Sequence, residues 1–351
     1  MKSGGEYSGQ PHPSEDDTGE EGEAAEGPLA TFTVATAEHG ERLDKMLALR
    51  LPRLSRSRLQ SWIEQGAVRV DGEPAQRARQ SVQIGQRVVV HAVPAPEDLA
   101  FAPEPMTLAI VHEDADLIVL DKPPGLVVHP AAGHWSGTLL NGLLAHDPAL
   151  AALPRAGIVH RLDADTSGLM VVARNLIAQT DLVRQLQVRS VTREYWAVVR
   201  GRAPPRTSIE AAIERDPRNP LRFRAGQGPA AKPARTHVAR LGVANTEAGE
   251  LSWVVCRLDT GRTHQIRVHL ESLGLPLVGD PVYRGRPPHP RPGAAPWTGF
   301  NRQALHACRL GLVHPASGAA LSWFRPPPAD MNDLMRSLGF GPLDRPSKAF
   351  E

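Results

Sequence analysis

Cysteine, long apolar runs and an export signal are the features in which this 351-residue sequence is poorest. Its two cysteines, Cys256 and Cys308, are too few for a disulfide framework or a thiolate metal site, as is usual in a reducing compartment. No stretch approaches the roughly 20 consecutive apolar residues of a membrane span, and the N-terminus carries no apolar signal region. We therefore expect a cytoplasmic protein that does not enter a membrane.

Motifs for several common chemistries are also missing. The sequence has no Gly-x-Ser-x-Gly elbow for a serine nucleophile, no Walker loop for ATP and no glycine fingerprint for a dinucleotide. His264 and His269 are five residues apart and would lie on different faces of a helix. The acidic run at 112–116 has no further ligand at metal-binding spacing, so we interpret it as a solvated hairpin turn. We expect neither a metal nor a cofactor.

Acidic and basic residues are unevenly distributed, although the net charge is only +2. Eight acids and one base fall within residues 1–28, which leaves 39 Lys and Arg against 30 Asp and Glu in the remainder, a net charge of +9. Arginine dominates this excess, and its planar guanidinium suits phosphate contacts. The basic body favours a polyanionic partner, although an excess of this size also occurs where charge serves only solubility.

Composition divides the chain into five segments. Residues 1–30 are rich in Gly, Ser, Pro and acids and nearly lack aliphatic residues, so we predict a disordered tail. A small domain at 38–94 is followed by a proline-rich linker at 95–105, a larger domain at 106–335 and a C-terminal tail at 336–351. The content of 41% hydrophobic residues is sufficient for two cores. We expect the chain to act as a monomer.

The small domain is predicted to contain two short helices and a hairpin. An apolar stripe begins at Leu43, a second helix spans 57–65, and strands at 68–70 and 87–90 follow. The segments 42–45, 55–57 and 68–72 resemble the RNA-binding module named after ribosomal protein S4. The resemblance implies that its exposed arginines bind RNA, among them Arg53, Arg56 and Arg58. A basic helical accessory domain with no RNA role is the alternative.

The larger domain is predicted to be α+β, with a mixed, largely antiparallel sheet. No internal repeat and no sustained βαβ alternation is apparent. The segment 202–235 is basic and interspersed with Pro and Gly, so we expect a loop there. The patterns predict strands at 108–111, 117–120, 169–173, 191–199, 251–258, 304–312 and 319–324, and helices at 138–145, 176–188 and 263–273.

A polar segment at 160–168 lies between two apolar runs, at 158–159 and 169–173. The run at 169–173 is apolar enough for a buried strand, and the turn-forming residues before it place polar side chains at the junction of core strands. On spacing alone, a turn whose Asp side chains only cap backbone amides is an equally good interpretation. The segment carries four side chains that could do chemistry: His160, Arg161, Asp163 and Asp165.

Several blocks of the sequence resemble the RluA-type RNA pseudouridine synthase family, and they occur in that family's order. They are Asp121–Pro130, His160–Leu169, Arg193–Tyr195, Gly261–His269, Gly279–Tyr283 and Arg302–Ala307. The resemblance covers about residues 38–335 and has one small departure at Arg284, where relatives usually have Gly. It implies a cofactor-free isomerase that converts uridine to pseudouridine in RNA, with 23S rRNA of the large ribosomal subunit as the expected substrate.

The resemblance also implies roles for individual residues. Asp163 matches the essential aspartate that acts at the ribose, and Arg262 matches the arginine that pairs with it. Tyr195 matches the tyrosine that stacks on the target base and helps to remove its C5 proton. Arg161 matches the side chain that fills the gap left by the flipped nucleotide, with His160 beside it at the substrate. Flipping is required because C1′ and C5 cannot be rearranged within a base stack.

Several alternatives stay open at this point. Tyr195 is also compatible with a core strand aromatic, Arg161 with a phosphate clamp, and Asp163 with either attack at C1′ or removal of the C2′ proton. Asp165 competes as the carboxylate, and we assign it a turn-capping role. The chain as a whole is also compatible with a non-catalytic RNA-binding assembly factor. A synthase for tRNA or for other large-subunit uridines is a further alternative, because site choice depends on RNA shape.

Overall fold

The computed structural model describes residues 28–93, 100–131, 133–219, 221–285, 297 and 299–350. The chain forms two compact units, residues 1–95 and 96–351. The predicted disordered tail lies outside the described residues except for its last three, and so does most of the proline-rich stretch at 284–297. Among the described residues, no helix is long and apolar enough to cross a membrane.

The N-terminal unit packs two helices against a four-stranded antiparallel sheet with the strand order β1-β4-β2-β3. The predicted apolar stripe of the first helix is buried together with Leu59 and Trp62 of the second. Strand β1 was not predicted, because it is only four residues long and is defined by its pairing with β4. The elements are β1 (Ala30–Thr33), α1 (Leu43–Arg50), α2 (Arg56–Glu64), β2 (Val68–Val70), β3 (Glu73–Pro74) and β4 (Arg87–Val90).

One carboxylate, Asp44 of α1, is fully buried in this unit. Its Oδ2 accepts hydrogen bonds from Arg42 Nη2 at 2.8 Å, Arg56 Nη2 at 2.9 Å and Gln60 Nε2 at 2.6 Å. Burial alone would raise the pKa of Asp44, but these donors outweigh it and lower the pKa to about 2. Because Arg56 and Gln60 belong to α2, the cluster joins the two helices.

The C-terminal unit is built on a nine-stranded mixed sheet of order β5-β6-β7-β14-β8-β13-β12-β9, with β15 beside β14. Only β7 and β14 are parallel among the described neighbouring strands, which confirms the predicted α+β class with a largely antiparallel sheet. Its elements are β5 (Ile110–Glu113), β6 (Leu117–Lys122), α3 (Leu139–His146), β7 (Ser167–Ala173), α4 (Leu176–Gln187), β8 (Thr192–Arg200), β9 (Arg206–Glu210), β10 (Ile213–Arg215), β11 (Phe223–Ala225), β12 (Arg235–Thr246), β13 (Gly249–Leu258), α5 (Gln265–Ser272), β14 (Leu305–Val313), β15 (Ala320–Phe324) and α6 (Ala329–Ser337).

Both faces of this sheet are covered, as the alternation along β8 illustrates. Tyr195 and Ala197 belong to the core beneath α3 and α5, whereas Trp196 and Val198 belong to the core beneath α6. Successive side chains of a strand point to opposite faces, so one strand supplies both cores. The functional groups that follow lie on the side of α5.

Two expectations about this unit need correction. The segment 202–235 is not a plain loop, because it contains β9 and the β10–β11 hairpin and reaches the start of β12, which pairs with β9 and β13. The C-terminal tail is packed instead of free: Phe340 and Leu343 are buried in the core beneath α6. Its burial partners include Trp253, whose ring centroid is 6.0 Å from that of Phe340.

Candidate active site

Asp163 lies in the loop that leads into β7, the strand between β6 and β14. The Thr166 backbone N–H donates to the Asp163 carbonyl at 3.0 Å and closes a tight turn. Gly168 is the second residue of β7, and its φ of +116° and its close approach to β14 both require glycine: a Cβ there would lie 2.3 Å from the carbonyl oxygen of Ala307. The close parallel pairing of β7 and β14 brings this loop beside the 302–306 segment.

A buried lysine, Lys122, is hydrogen-bonded to the loop that carries Asp163. Lys122, at the end of β6, is fully buried, and its Nζ donates to the carbonyls of Pro123, Leu126 and Ala164 at 2.7, 2.9 and 2.7 Å. Burial lowers the pKa of Lys122 to about 7, opposed by the nearby carboxylates. Three carbonyl acceptors match the three N–H bonds of an ammonium group. Lys122 therefore fixes Ala164, the residue that follows Asp163.

The 302–306 segment supports the same loop at three consecutive positions. Arg302 Nη1 donates to the Asp165 carbonyl at 3.1 Å, and Gln303 Nε2 donates to Thr166 Oγ1 at 3.1 Å. The third contact joins Ser167 Oγ to His306 Nδ1 at 3.0 Å, and His306 Nε2 lies 3.1 Å from the Arg325 carbonyl. Because that carbonyl needs a donor, Nε2 carries the proton and Ser167 donates to Nδ1. Burial lowers the pKa of His306 to about 4, so the ring is neutral at pH 7.

The Asp163 carboxylate is ion-paired with Arg267 of α5. Arg267 Nη1 lies 3.1 Å from Asp163 Oδ2, while its Nε and Nη2 donate to the two oxygens of Asp280 at 2.7 and 2.9 Å. The Arg267 side chain is 5% exposed and that of Asp280 is fully buried, whereas Asp163 is 17% exposed. Burial would lower the pKa of Arg267, but the bonds and charges of both carboxylates raise it. Asp163 is thus the partly open end of a buried Asp–Arg–Asp chain.

The expectation that Arg262 pairs with Asp163 is therefore wrong. Arg262 lies three residues before α5, is exposed, and donates its Nε to the carbonyl of Pro233 at 3.2 Å. Arg267 is in the first turn of the helix, on the side that packs against the sheet. Both arginines belong to the block 261–269, and only the start of the helix decides which of them reaches the carboxylate.

The capping role expected for Asp165 is also wrong. In the described part of the chain the Asp165 side chain makes no hydrogen bond, and the residue takes part in the loop through its carbonyl. Its carboxylate instead lies near enough to Lys122 to oppose the fall in the lysine pKa.

Tyr195 of β8 and His160 face the same cleft as Asp163. Burial raises the pKa of Tyr195 to about 12, with Asp163 adding to the rise, so the side chain is a phenol at neutral pH. His160 Nε2 accepts the backbone N–H of Val171 at 3.0 Å. Burial and the charge of Arg193 lower the pKa of His160 to about 3. His160 is therefore a neutral anchor between the loop and β7.

The cleft has a volume of about 560 Å³ and a marked excess of positive charge. Its carboxylates are Asp163 and Asp259. Six arginines line it: Arg155, Arg161, Arg189, Arg193, Arg262 and Arg267. Arg161 is exposed and makes no hydrogen bond within the described residues. A cleft with this balance suits a polyanionic substrate.

The three arginines predicted in the N-terminal unit differ in their surroundings. Arg53 is exposed and has no partner among the described residues, whereas Arg56 is occupied by the buried Asp44. The guanidinium of Arg58 lies 5.4 Å from the ring centroid of Trp62, over its face. Arg53 is the one of the three that is fully available to an external phosphate.

The acidic turn at 112–116 contains His112, whose Nε2 lies 2.7 Å from Asp114 Oδ2, and it acquires a second histidine, His314, from far along the chain. Of the described residues, Asp114, Asp116 and His314 are the group whose donor atoms lie close enough to hold a metal ion. However, His314 Nδ1 accepts the N–H groups of Ala316 and Ser317 at 3.2 and 3.1 Å, which leaves the proton on Nε2, 3.1 Å from Asp114. A metal at Nε2 would require the proton on Nδ1, facing two donors. The group fits a turn network and does not fit a metal.

Comparison with known proteins agrees with this fold. The RNA pseudouridylate synthase family matches residues 116–272, and the S4 domain matches residues 41–88. One curated relative is 51% identical over 310 residues, which cover 88% of this chain and 81% of the relative. The chain belongs to the RNA pseudouridine synthase family and is an isomerase with an S4 domain.

The curated relatives narrow this class. The relative at 51% identity, from Neisseria meningitidis serogroup B, is named ribosomal large subunit pseudouridine synthase D. Proteins of the same name from Nitrosomonas europaea and Escherichia coli K12 are 48% and 44% identical, each over 88% of this chain and over 87% and 94% of their own lengths. The structure of human RNA pseudouridylate synthase domain containing 4 shares the fold, with a TM-score of 0.50 at 24% identity over 66% of this chain and 93% of that one.

Proposed function

We propose that this protein converts specific uridines of large-subunit ribosomal RNA to pseudouridine, with Asp163 as the essential carboxylate. The observation that carries the proposal is the Asp163–Arg267 ion pair, 3.1 Å long, at the base of an arginine-lined cleft that also holds Tyr195. The names of the relatives at 44–51% identity support the choice of RNA. We expect the protein to act as a cytoplasmic monomer.

The reaction exchanges one bond of the ribose for another. The C1′–N1 bond breaks, the C1′–C5 bond forms, C5 loses a proton and N1 gains one, so the atoms balance without an oxidant or a cofactor. The base must rotate between the two steps, which a stacked base cannot do. The target nucleotide is therefore flipped into the cleft, as for other enzymes that do chemistry on a base.

Asp163 acts at the ribose, either as the nucleophile at C1′ or as the base at C2′. Both routes require a carboxylate that faces the substrate in a fixed orientation. Arg267 supplies that orientation, because its other nitrogens are held by Asp280 and it cannot turn away. Lys122 and the 302–306 segment hold the backbone on which the carboxylate stands.

Tyr195 and Arg161 contact the base in this proposal. A phenol with a pKa of about 12 is protonated at neutral pH, which favours packing of the Tyr195 ring on the base over removal of the C5 proton by a phenolate. The exposed Arg161 lies two residues before Asp163 at the edge of the cleft. Its long side chain would occupy the position that the flipped base leaves.

Pseudouridine mapping tests the proposal directly. We would map pseudouridines in ribosomal and transfer RNA from a strain that lacks this gene, and from that strain carrying wild-type protein or the Asp163→Asn variant. We expect specific sites in large-subunit RNA to be lost and to return only with wild type. Loss confined to tRNA would contradict the proposed substrate, and restoration by the variant would contradict the role of Asp163.

A further inference from the structure

Among the residues that the structure describes, Arg193 of β8 is a buried cation without a hydrogen-bond or ion-pair partner. The residue is 6% exposed, its Nε is fully buried with no hydrogen bond, and in the described part of the chain it makes no ion pair within 4.0 Å. It points to the same side of the strand as Tyr195, two residues away, and lines the cleft. A buried charge normally has a partner, because removing it from water otherwise costs several kcal/mol.

The nearest acid is committed elsewhere. Asp259 lies close enough to influence Arg193 electrostatically, but its Oδ1 is 3.3 Å from His237 Nε2 and its Oδ2 is 3.6 Å from Arg235 Nη1. The charge of Arg193 also influences the pKa values of His160 and Tyr195, but both side chains are neutral at pH 7. Among the described residues, Arg193 is therefore influenced by the charge of Asp259 but has no carboxylate within ion-pairing distance.

Space for an external anion is present beside Arg193. Gly261, which also lines the cleft, is exposed, and a Cβ on it would lie 3.1 Å from Arg193 Nη1. Its φ is not in the left-handed region, so the conformation of the backbone does not require glycine there. The missing side chain leaves open the approach to the guanidinium, whose planar fork binds two phosphate oxygens at once.

We propose that Arg193 binds a backbone phosphate of the substrate RNA next to the target uridine, inside the cleft. The inference rests on the proposed function for the identity of the RNA. The phosphate supplies the counter-charge that the free protein lacks, so the site is complete only when the RNA is bound. A buried guanidinium on a strand also fixes the position of that phosphate relative to Tyr195.

The proposal predicts opposite effects on the free protein and on binding. Arg193→Met removes the uncompensated charge but keeps most of the stem, so the free variant should melt at the temperature of wild type or above it. Added sodium sulfate, compared with chloride at equal ionic strength, should raise the melting temperature of wild type more than that of the variant. A variant that melts well below wild type in chloride, or an equal sulfate effect in both, would assign Arg193 to the protein's own packing and overturn the proposal.

The binding arm uses an RNA that wild type modifies, with single-turnover rates measured against enzyme concentration. The half-saturating concentration should rise roughly ten- to a hundred-fold in Arg193→Met, which corresponds to the loss of a charge-assisted hydrogen bond. The maximal rate should fall much less, because a phosphate contact is made in the ground state and the transition state alike. Arg193→Lys should lie between the two, and Arg336→Met, on the exposed face of α6, is the matched control.

Neutral methylphosphonate linkages identify the phosphate. Each linkage around the target uridine is neutralised in turn, in wild type and in Arg193→Met. At one position, the neutral linkage should weaken RNA binding by the wild type but should not weaken binding by Arg193→Met any further. This is the result expected when Arg193 and that phosphate form one contact. If the neutral linkage and Arg193→Met weaken binding independently at every position, so that their fold-changes multiply, the phosphate assignment is overturned. An absence of wild-type turnover on large-subunit RNA would instead count against the proposed function. A sulfate effect without any such position would mean that the site takes a free anion only, and it would also overturn the proposal.

Discussion

Arg267 joins Asp163 to Asp280 through one guanidinium, with contacts of 3.1 Å to the first carboxylate and 2.7 Å to the second. The exposed end of this chain faces the cleft and the fully buried end lies in the core. The same side chain therefore contributes to the orientation of the reactive group and to the stability of the fold.

Arg267→Met should abolish turnover and destabilise the protein, whereas Arg262→Met should do neither to a comparable degree. Loss of Arg267 leaves the buried Asp280 unpaired, which costs about 3–5 kcal/mol. Arg262 loses one hydrogen bond at the surface, and its variant should unfold within about 0.5 kcal/mol of wild type. Urea unfolding and single-turnover rates check both variants. Equal losses of turnover in the two would return the pairing role to Arg262.

Asp163→Asn should reduce turnover by roughly 10²–10⁴-fold or more and leave RNA affinity nearly unchanged. Asp165→Asn is the matched control, because the Asp165 side chain makes no hydrogen bond to any described residue and its carbonyl is what holds the loop. We expect Asp165→Asn to keep most of the activity. Turnover assays and filter binding on one RNA distinguish the two, and an inactive Asp165→Asn with an active Asp163→Asn would reverse the assignment.

Lys122→Met should lower the maximal rate and the stability together. The substitution removes the Nζ donor from the carbonyls of Pro123 and Leu126 and leaves the Ala164 carbonyl with only the Gly125 N–H, at a cost of about 2–4 kcal/mol. Lys45→Met is the control, because Lys45 forms an exposed ion pair with Glu41, worth about 0.3–0.5 kcal/mol. The measurements are thermal unfolding and single-turnover rate. An unchanged rate in a folded Lys122→Met protein would show that the Asp163 loop does not need its hydrogen bond to Lys122.

His306 should make the stability depend on pH between about 4 and 6.5. Its folded pKa is about 4 and the ordinary value is 6.5, so in this window the unfolded chain binds more protons and stability rises with pH. His160, with a folded pKa of about 3, acts in the same direction. His306→Gln should reduce the slope by up to about 1.4 kcal/mol per pH unit. Urea midpoints from pH 4 to pH 7 test this, and identical slopes would mean that His306 is charged in the folded state.

Arg53 and Arg56 should separate binding from folding in the N-terminal unit. Arg53→Gln should lower the slope of log affinity against log salt by about 1 and leave stability unchanged, as for a phosphate contact. Arg56→Gln should lower stability instead, because it removes donors from the buried Asp44. Salt titrations of RNA binding and thermal unfolding give the two readouts. A smaller salt slope in Arg56→Gln alone would exchange the roles.

The sequence patterns predicted the parts of the site that depend on which side chains are present. They failed for the parts that depend on backbone acceptors or on the residue at which a helix begins. The blocks around Asp163 and Tyr195 identified residues that do line one cleft. Lys122 could not be recognised as a support, because its acceptors are carbonyls that any sequence possesses. The choice between Arg262 and Arg267 depended on a helix that starts at Gln265, two residues later than the pattern predicted. Strand β12 was missed because its partly exposed residues alternate weakly.

The contact between Ser167 and His306 spans 139 positions of the chain. During synthesis, residues 1–95 are complete long before the 302–306 segment leaves the ribosome, and N-terminal domains generally fold first. The S4 domain is therefore available to RNA while the Asp163 loop still lacks the contacts that hold it. We therefore expect a chain that lacks its last fifty residues to bind RNA through the S4 domain without modifying it, and so to compete with intact copies of the enzyme.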